Sequence, residues 1–201
     1  MATVRQATPA DSRTMYTICL QTGDSGADGT HLFPDDPDCL GRIYSQPYLE
    51  LQPDHAFVAE DDEGVFGYCL AALDTRSFNH RMLTEYLPPV RAAFPRPEDG
   101  KDWTDAQHVQ AGYTDFTGDV EEELVKLYPS HLHIDIVARG QGKGVGRSLI
   151  TRQLDALRAA GSIGVHLGMA PKNHRAYGFY KKIGFHELRR TADDLVLGMR
   201  L

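Results

Sequence analysis

Four glycines occupy alternate positions in the stretch ARGQGKGVGRS: Gly140, Gly142, Gly144 and Gly146. The run follows an apolar segment, HIDIV, and leads into a segment with helical periodicity. A backbone stripped of Cβ atoms at a helix opening suits an anion. The first N–H groups of a helix lack partners, its dipole is positive there, and glycine lets a phosphate approach. Just upstream, His131, His133 and Asp135 alternate, so in a strand all three project from one face. An imidazole or carboxylate in that row would accept a proton near neutral pH. The same row could touch a metal. A flat His-x-His-x-Asp without a fourth ligand is a poor metal site, however, and no metal is expected.

Two common phosphate loops do not fit. The dinucleotide fingerprint needs glycines at i, i+2 and i+5. Starting from Gly140, Gly142 or Gly144, the last position falls on Val145, Arg147 or Leu149. The Walker loop needs Gly-Lys followed by Ser or Thr, and Gly142-Lys143 is followed by Gly144.

What fits is Gln141-x-x-Gly144-x-Gly146. This resembles the pyrophosphate loop of GNAT-type N-acetyltransferases, which hold acetyl-coenzyme A. The family's next helix reads roughly Asn-x-Arg-Ala-x-x-Phe-Tyr-x-Lys-x-Gly-Phe. The stretch NHRAYGFYKKIGF, 173–185, matches every specified position. The runs LYPSHLHIDI and RAAGSIGVHLGMAPKNHRAYGFYKKIGFHEL are further similar to the acetyltransferase-like C-terminal domain of O-GlcNAcases. The expectation is a stand-alone, bacterial-type version of that domain. Hydrolase-fused members tend to lack the glycine loop, and this chain keeps it.

The resemblance implies a function and a set of roles. The main chain of the strand Ile134–Val137, with Ile136 and Val137 foremost, would contact the pantetheine arm and polarise the thioester carbonyl. Gln141, Gly142, Lys143, Gly144, Val145, Gly146 and Arg147 would hold the pyrophosphate. Asn173 would fix the pantetheine region. Tyr180 would protonate the leaving thiolate, although it also falls in an apolar helical stripe. The base is either Asp135 or His133, with His166 on the next strand a further candidate. A base is required because a lysine-like ammonium, of pKa ~10.4, cannot attack. No cysteine sits beside the cofactor motif, so transfer to a primary amine would be direct, in a ternary complex. The alternative is an acyl-CoA-binding module with little or no turnover. Peptide lysine, a protein N-terminus, a polyamine, an amino sugar and an antibiotic all remain open as acceptor.

The elements that must carry these residues are legible in part. TVRQA reads as a strand, and Thr8-Pro9-Ala10-Asp11 as a helix start. Met15, Ile18 and Cys19 then share a helical face, and the Gly- and Asp-rich segment 21–38 reads as a loop. HAFVAEDDEGVFGYCLAALD predicts two strands about the turn at 61–64. Residues 75–129 read as an insertion with helices near 79–87 and 119–127, punctuated by Pro88-Pro89, FPRPEDG and Pro129. Trp103 would anchor it. HLHIDIV and IGVHLGMA read as strands, 147–160 and 173–183 as helices, and FHELRR and LVLGMRL as final strands. Together these predict an α/β (α+β) fold, residues 1–201 forming one domain. Its mixed, mostly antiparallel sheet would have about seven strands flanked by helices.

Composition bounds the rest. The 201 residues are 41% hydrophobic and 24% charged, with a formal net charge of −7. That balance argues against nucleic acid, which needs a basic surface, and suits a cationic substrate such as an amine. No apolar run approaches the ~20 residues of a membrane helix, and MATVRQATPAD lacks signal-peptide features. Cys19, Cys39 and Cys69 are unpatterned, as expected of reduced thiols in a cytoplasmic protein. A homodimer is compatible with all of this.

Overall fold

The computed structural model describes residues 2–98 and 102–201. The end of FPRPEDG, Asp99 and Gly100, lies outside them. Seven strands form a single sheet in the order β1-β2-β3-β4-β5-β7-β6. They are β1 (Thr3–Gln6), β2 (Ala56–Asp61), β3 (Gly64–Ala72), β4 (Ser130–Ile136), β5 (Gly164–Met169), β6 (His186–Arg190) and β7 (Leu195–Arg200). Only β4 and β5 pair in parallel; every other pair is antiparallel. This is the mixed sheet expected from the sequence.

Alternation along the central strands gives the sheet two apolar faces. On one face Val58, Tyr68 and Leu70 meet Met15, Ile18 and Cys19 of helix α1 (Ser12–Gln21). On the other, Phe57, Ala59, Phe66 and Cys69 meet Val145 and Leu149 of helix α8 (Val145–Ala159). Farther along α8, Ile150, Leu154 and Leu157 pack with Leu132, Val165, Leu167 and the helix α9 (His174–Ile183). The chain enters α1 through a 3-10 turn, Pro9–Asp11. There the Asp11 carboxylate accepts the Thr8 N–H and hydroxyl, at 2.7 and 2.9 Å.

The middle of the chain departs from the sequence reading. Helices α2 (Cys39–Tyr44), α3 (Gln46–Leu51) and α6 (Asp105–Thr114) were not expected: α2 and α3 are short and carry a glycine or a proline, and α6 mixes glycine with polar residues. Pro88-Pro89 does not end the helix before it. Helix α4 (Thr75–Arg81) runs into a π turn, Met82–Tyr86, and then into α5 (Leu87–Ala93). Both prolines stand in the first turn of α5, where a backbone N–H is dispensable. The Tyr86 hydroxyl donates to the Arg42 carbonyl at 2.6 Å and ties this turn to α2. The helix expected near 119–127 shortens to α7 (Glu122–Leu127).

Leu157 is fully buried between α8 and the sheet. Leu157→Ala is expected to destabilise the fold by about 2–5 kcal/mol, measured by equilibrium denaturation.

Candidate active site

The parallel pair β4–β5 is registered at only two positions, Ser130 with Val165 and His131 with His166. Beyond His131 the strands separate, although each continues for several residues. The Val137 N–H bonds to the Phe66 carbonyl on β3 at 3.1 Å. Hydrogen-bonding direction alternates along an antiparallel strand. The main chain of Ile134 and Ile136 therefore faces away from β3, into the gap. Of the strand Ile134–Val137 expected to meet a pantetheine arm, Ile134 and Ile136 have the right direction. Val137 does not: its N–H is already used by β3 and it packs into the core.

The gap opens into a cleft of about 770 Å³. Both faces of the sheet contribute to it. His133, Asp135, Cys19 and Thr22 line one side; Ile134, Ile136, Phe179 and Tyr180 line the other.

One end of the cleft is the glycine loop. Gly144 has φ +79° and is the residue before helix α8, a position where a side chain is strained. No side chain caps α8. Its free N–H groups and positive dipole end thus open onto the cleft beside Gly142, Gly144, Gly146 and Arg147. The helix begins at Val145, two residues earlier than the sequence suggested, so the loop is tighter. Gly140 is required for a different reason: a Cβ there would come within 2.3 Å of the Phe66 ring. Val145 turns its side chain into the core, and Lys143 is exposed outside the cleft wall.

Two motif residues work as braces. The Gln141 amide donates to the Ile136 carbonyl at 2.7 Å, and its oxygen accepts from Arg175. Gln141 thereby links β4, the loop and α9. The Asn173 side chain caps α9, accepting the Ala176 N–H at 3.0 Å, while still lining the cleft.

Tyr180 is 7% exposed, and its hydroxyl has no protein partner among the described residues. Burial first, then the nearby Cys69 and Asp135, push its pKa well above the usual phenol value. It stays protonated, as a hydrogen donor must.

Across the sheet, His133 Nε2 lies 2.9 Å from Asp135 Oδ2, and the Tyr68 hydroxyl donates to the same oxygen at 2.5 Å. Burial disfavours the His133 imidazolium, but the Asp135 carboxylate outweighs it and raises the His133 pKa above its ordinary value. Burial likewise opposes the Asp135 charge; His133 and the hydroxyl donors overcome it and lower its pKa. With Nε2 held by the carboxylate, Nδ1 is the nitrogen left to take a proton.

The other histidines are occupied. His131 bonds Thr75 Oγ1 and the Tyr48 hydroxyl, each at 2.9 Å. Burial, with His166 and His133 nearby, pulls its pKa down to about 3. His166 bonds the Tyr128 carbonyl at 2.8 Å and does not line the cleft. It therefore stands apart from the acid–base groups. Among the described residues no cluster of metal-ligating side chains forms.

Sequence reasoning missed Cys19. It lies more than a hundred residues before the loop, yet it lines the cleft. Burial raises its thiol pKa far above the ordinary value, so it remains a poor nucleophile. Trp103 lines neither this cleft nor the second cavity described below. Its Nε1 donates to the Glu98 carbonyl at 2.8 Å and its ring meets His108 edge-on.

Residues 112–185 match the profile of the Acetyltransferase (GNAT) family. In sequence the chain is 28% identical to protein O-GlcNAcase of Rattus norvegicus over 204 residues, 99% of this chain. It spans only 22% of that relative's length. The fold superimposes on the crystal structure of SsHAT with a TM-score of 0.90 and 33% identity, covering 99% of this chain and 98% of the other. A phosphinothricin acetyltransferase from Sinorhizobium meliloti, crystallised with acetyl-CoA, shares the fold at TM-score 0.60 and 15% identity, covering 100% of this chain and 88% of its own. The match to that profile, with a relative at 33% identity superimposing along nearly the whole of both chains, shows that the chain belongs to the GNAT acetyltransferase family.

Proposed function

We propose that this chain is an acetyl-CoA-dependent N-acetyltransferase that moves an acetyl group to a primary amine by direct transfer in a ternary complex. Residues 1–201 act as one domain, with 75–129 as an insertion. The observation that carries the reading is the gap between β4 and β5. It exposes main-chain groups of Ile134 and Ile136, ends at the uncapped α8, and has an acid group on one wall and a basic pair on the other. Buried main-chain groups demand partners, and an extended polar arm that pairs like a strand supplies them.

Acetyl-CoA, when bound, supplies the thioester that is broken. The α8 N–H groups, with Gly142, Gly144 and Arg147, hold its pyrophosphate. The Ile134 or Ile136 N–H stabilises the negative charge that develops on the carbonyl oxygen. His133 accepts the amine proton at Nδ1, while Asp135 orients the ring and stabilises the imidazolium. The amine nitrogen bonds to the acetyl carbon as the carbon–sulfur bond breaks, and the Tyr180 hydroxyl proton goes to sulfur. The inert state of Cys19 supports direct transfer over an acyl-enzyme.

Tyr180→Phe is expected to lower kcat by about 10²-fold or more while leaving acetyl-CoA affinity unchanged. Turnover unaffected by the change would remove Tyr180 from the acid role. Gly144→Glu places a side chain and a negative charge in the phosphate site. Calorimetry should show acetyl-CoA binding abolished, with NADH and ATP binding neither protein; retained binding would refute the loop assignment. The third expectation concerns pH. A base must be neutral, and the folded pKa of His133 is raised, so kcat should climb through a limb above about pH 6.5. For the same reason the His133–Asp135 pair stabilises the fold below the unfolded imidazole pKa, and that contribution is lost as pH rises through the folded value. Asp135→Asn should move the limb down, and a shift in the same direction should appear in the His133 ring signals by NMR.

A further inference from the structure

A second cavity, of about 520 Å³, adjoins the cleft and shares Tyr44 and Val109 with it. Its walls come from α2, α3 and residues of 78–87 and 108–116. It meets β4 at His131, which lies on the same strand face as His133, two residues away. The cavity thus abuts the cofactor cleft along the histidine row, near His133.

The lining has a definite chemistry. Tyr48, Phe78, Met82 and Phe116 are prominent in it, and no Asp, Glu, Lys or Arg is among the described residues that line it. His131 has both ring nitrogens in hydrogen bonds and is held neutral. No carboxylate among them offsets the desolvation of a second ammonium group. The rings do not converge into a cation cage either. Tyr48 and Phe78 stack on each other at 4.7 Å, and His131 meets Phe78 edge-on at 5.2 Å, so their surfaces are spent on one another. Their remaining surface suits a flat apolar group, and the volume suits one or two rings.

We infer that this cavity is the acceptor site and that it takes an amine bearing an aromatic or similarly apolar group, its single amino group directed at His133. The inference rests on the transferase reading above and names its substrate class. Polyamines and lysine-rich peptides are disfavoured as acceptors, despite the acidic net charge of the chain.

Two substitutions test the cavity without touching the cofactor cleft, since neither residue lines it. Gly112 lines the second cavity, and a Cβ there would meet no atom within 4 Å, so bulk is admitted. Gly112→Phe should obstruct the site. Phe116→Asp puts a carboxylate into a partly exposed wall. The probes are 2-phenylethylamine, spermidine and a lysine-containing peptide, assayed at saturating acetyl-CoA, with amine binding to the CoA complex followed by calorimetry.

The wild-type protein should favour 2-phenylethylamine in kcat/KM by about 10-fold or more over the other two. Gly112→Phe should raise its KM by about 10-fold with acetyl-CoA affinity unchanged, and Phe116→Asp should narrow the preference against spermidine. Retained acetyl-CoA affinity also shows that both variants fold. Preference for spermidine or the peptide would overturn the inference. So would a 2-phenylethylamine KM that neither variant moves, and in either case efficient acetylation would leave the transferase reading standing. Binding of 2-phenylethylamine that Gly112→Phe abolishes, without acetylation, would uphold the cavity assignment and refute the transferase reading instead.

Discussion

The separation of β4 from β5 after the His131–His166 pair is the constraint on which the rest of the structure depends. Parallel neighbours ordinarily satisfy each other's main chain along their shared length. Here the β4 groups beyond His131 must find partners elsewhere. Gln141 takes the Ile136 carbonyl, and the rest face a cleft. A ligand that pairs like a strand is therefore favoured over one that merely fills space. Without the gap, the glycine loop would be only a tight strand-to-helix turn.

The same opening brings a phenol and a histidine–carboxylate pair to one space. A continuous sheet would isolate Tyr180, which packs with the α8 and α9 side, from His133 and Asp135 on the α1 side. The gap lets both reach one space from opposite walls. Their environments push them apart in proton affinity. Burial among apolar side chains keeps the Tyr180 proton on, while the carboxylate beside His133 keeps that ring basic. The two groups do not compete for the same proton because their surroundings differ.

The insertion adds a second layer. It packs against α2 and α3 through Tyr86 and its apolar neighbours, and it closes an aromatic cavity over the far end of the histidine row. The charge of the whole chain and the chemistry of this cavity point in different directions. Net charge is a property of the exposed surface, whereas the second cavity has no Asp, Glu, Lys or Arg among its described lining residues.

What the sequence by itself determined was local. Periodicity two placed His131, His133 and Asp135 on one face. Glycines before a helical run marked a tight strand-to-helix turn, and the 173–185 motif identified the family. These signals are short-range and depend on backbone geometry, so they survive in a linear reading. The helices α2 and α3 were not legible because their stability comes from packing, α6 was missed although Thr104 and Gln107 form a capping box at its start, and the π turn hid behind prolines that look like a stop. Only the tertiary structure decided that Val137 is used by β3 and Ile134 is not. It also decided that Gln141 and Asn173 brace the site, that His131 and His166 are already bonded, and that Cys19 stands in the cleft. Each of these turns on which groups meet across long sequence separations, and spacing along the chain carries no record of that.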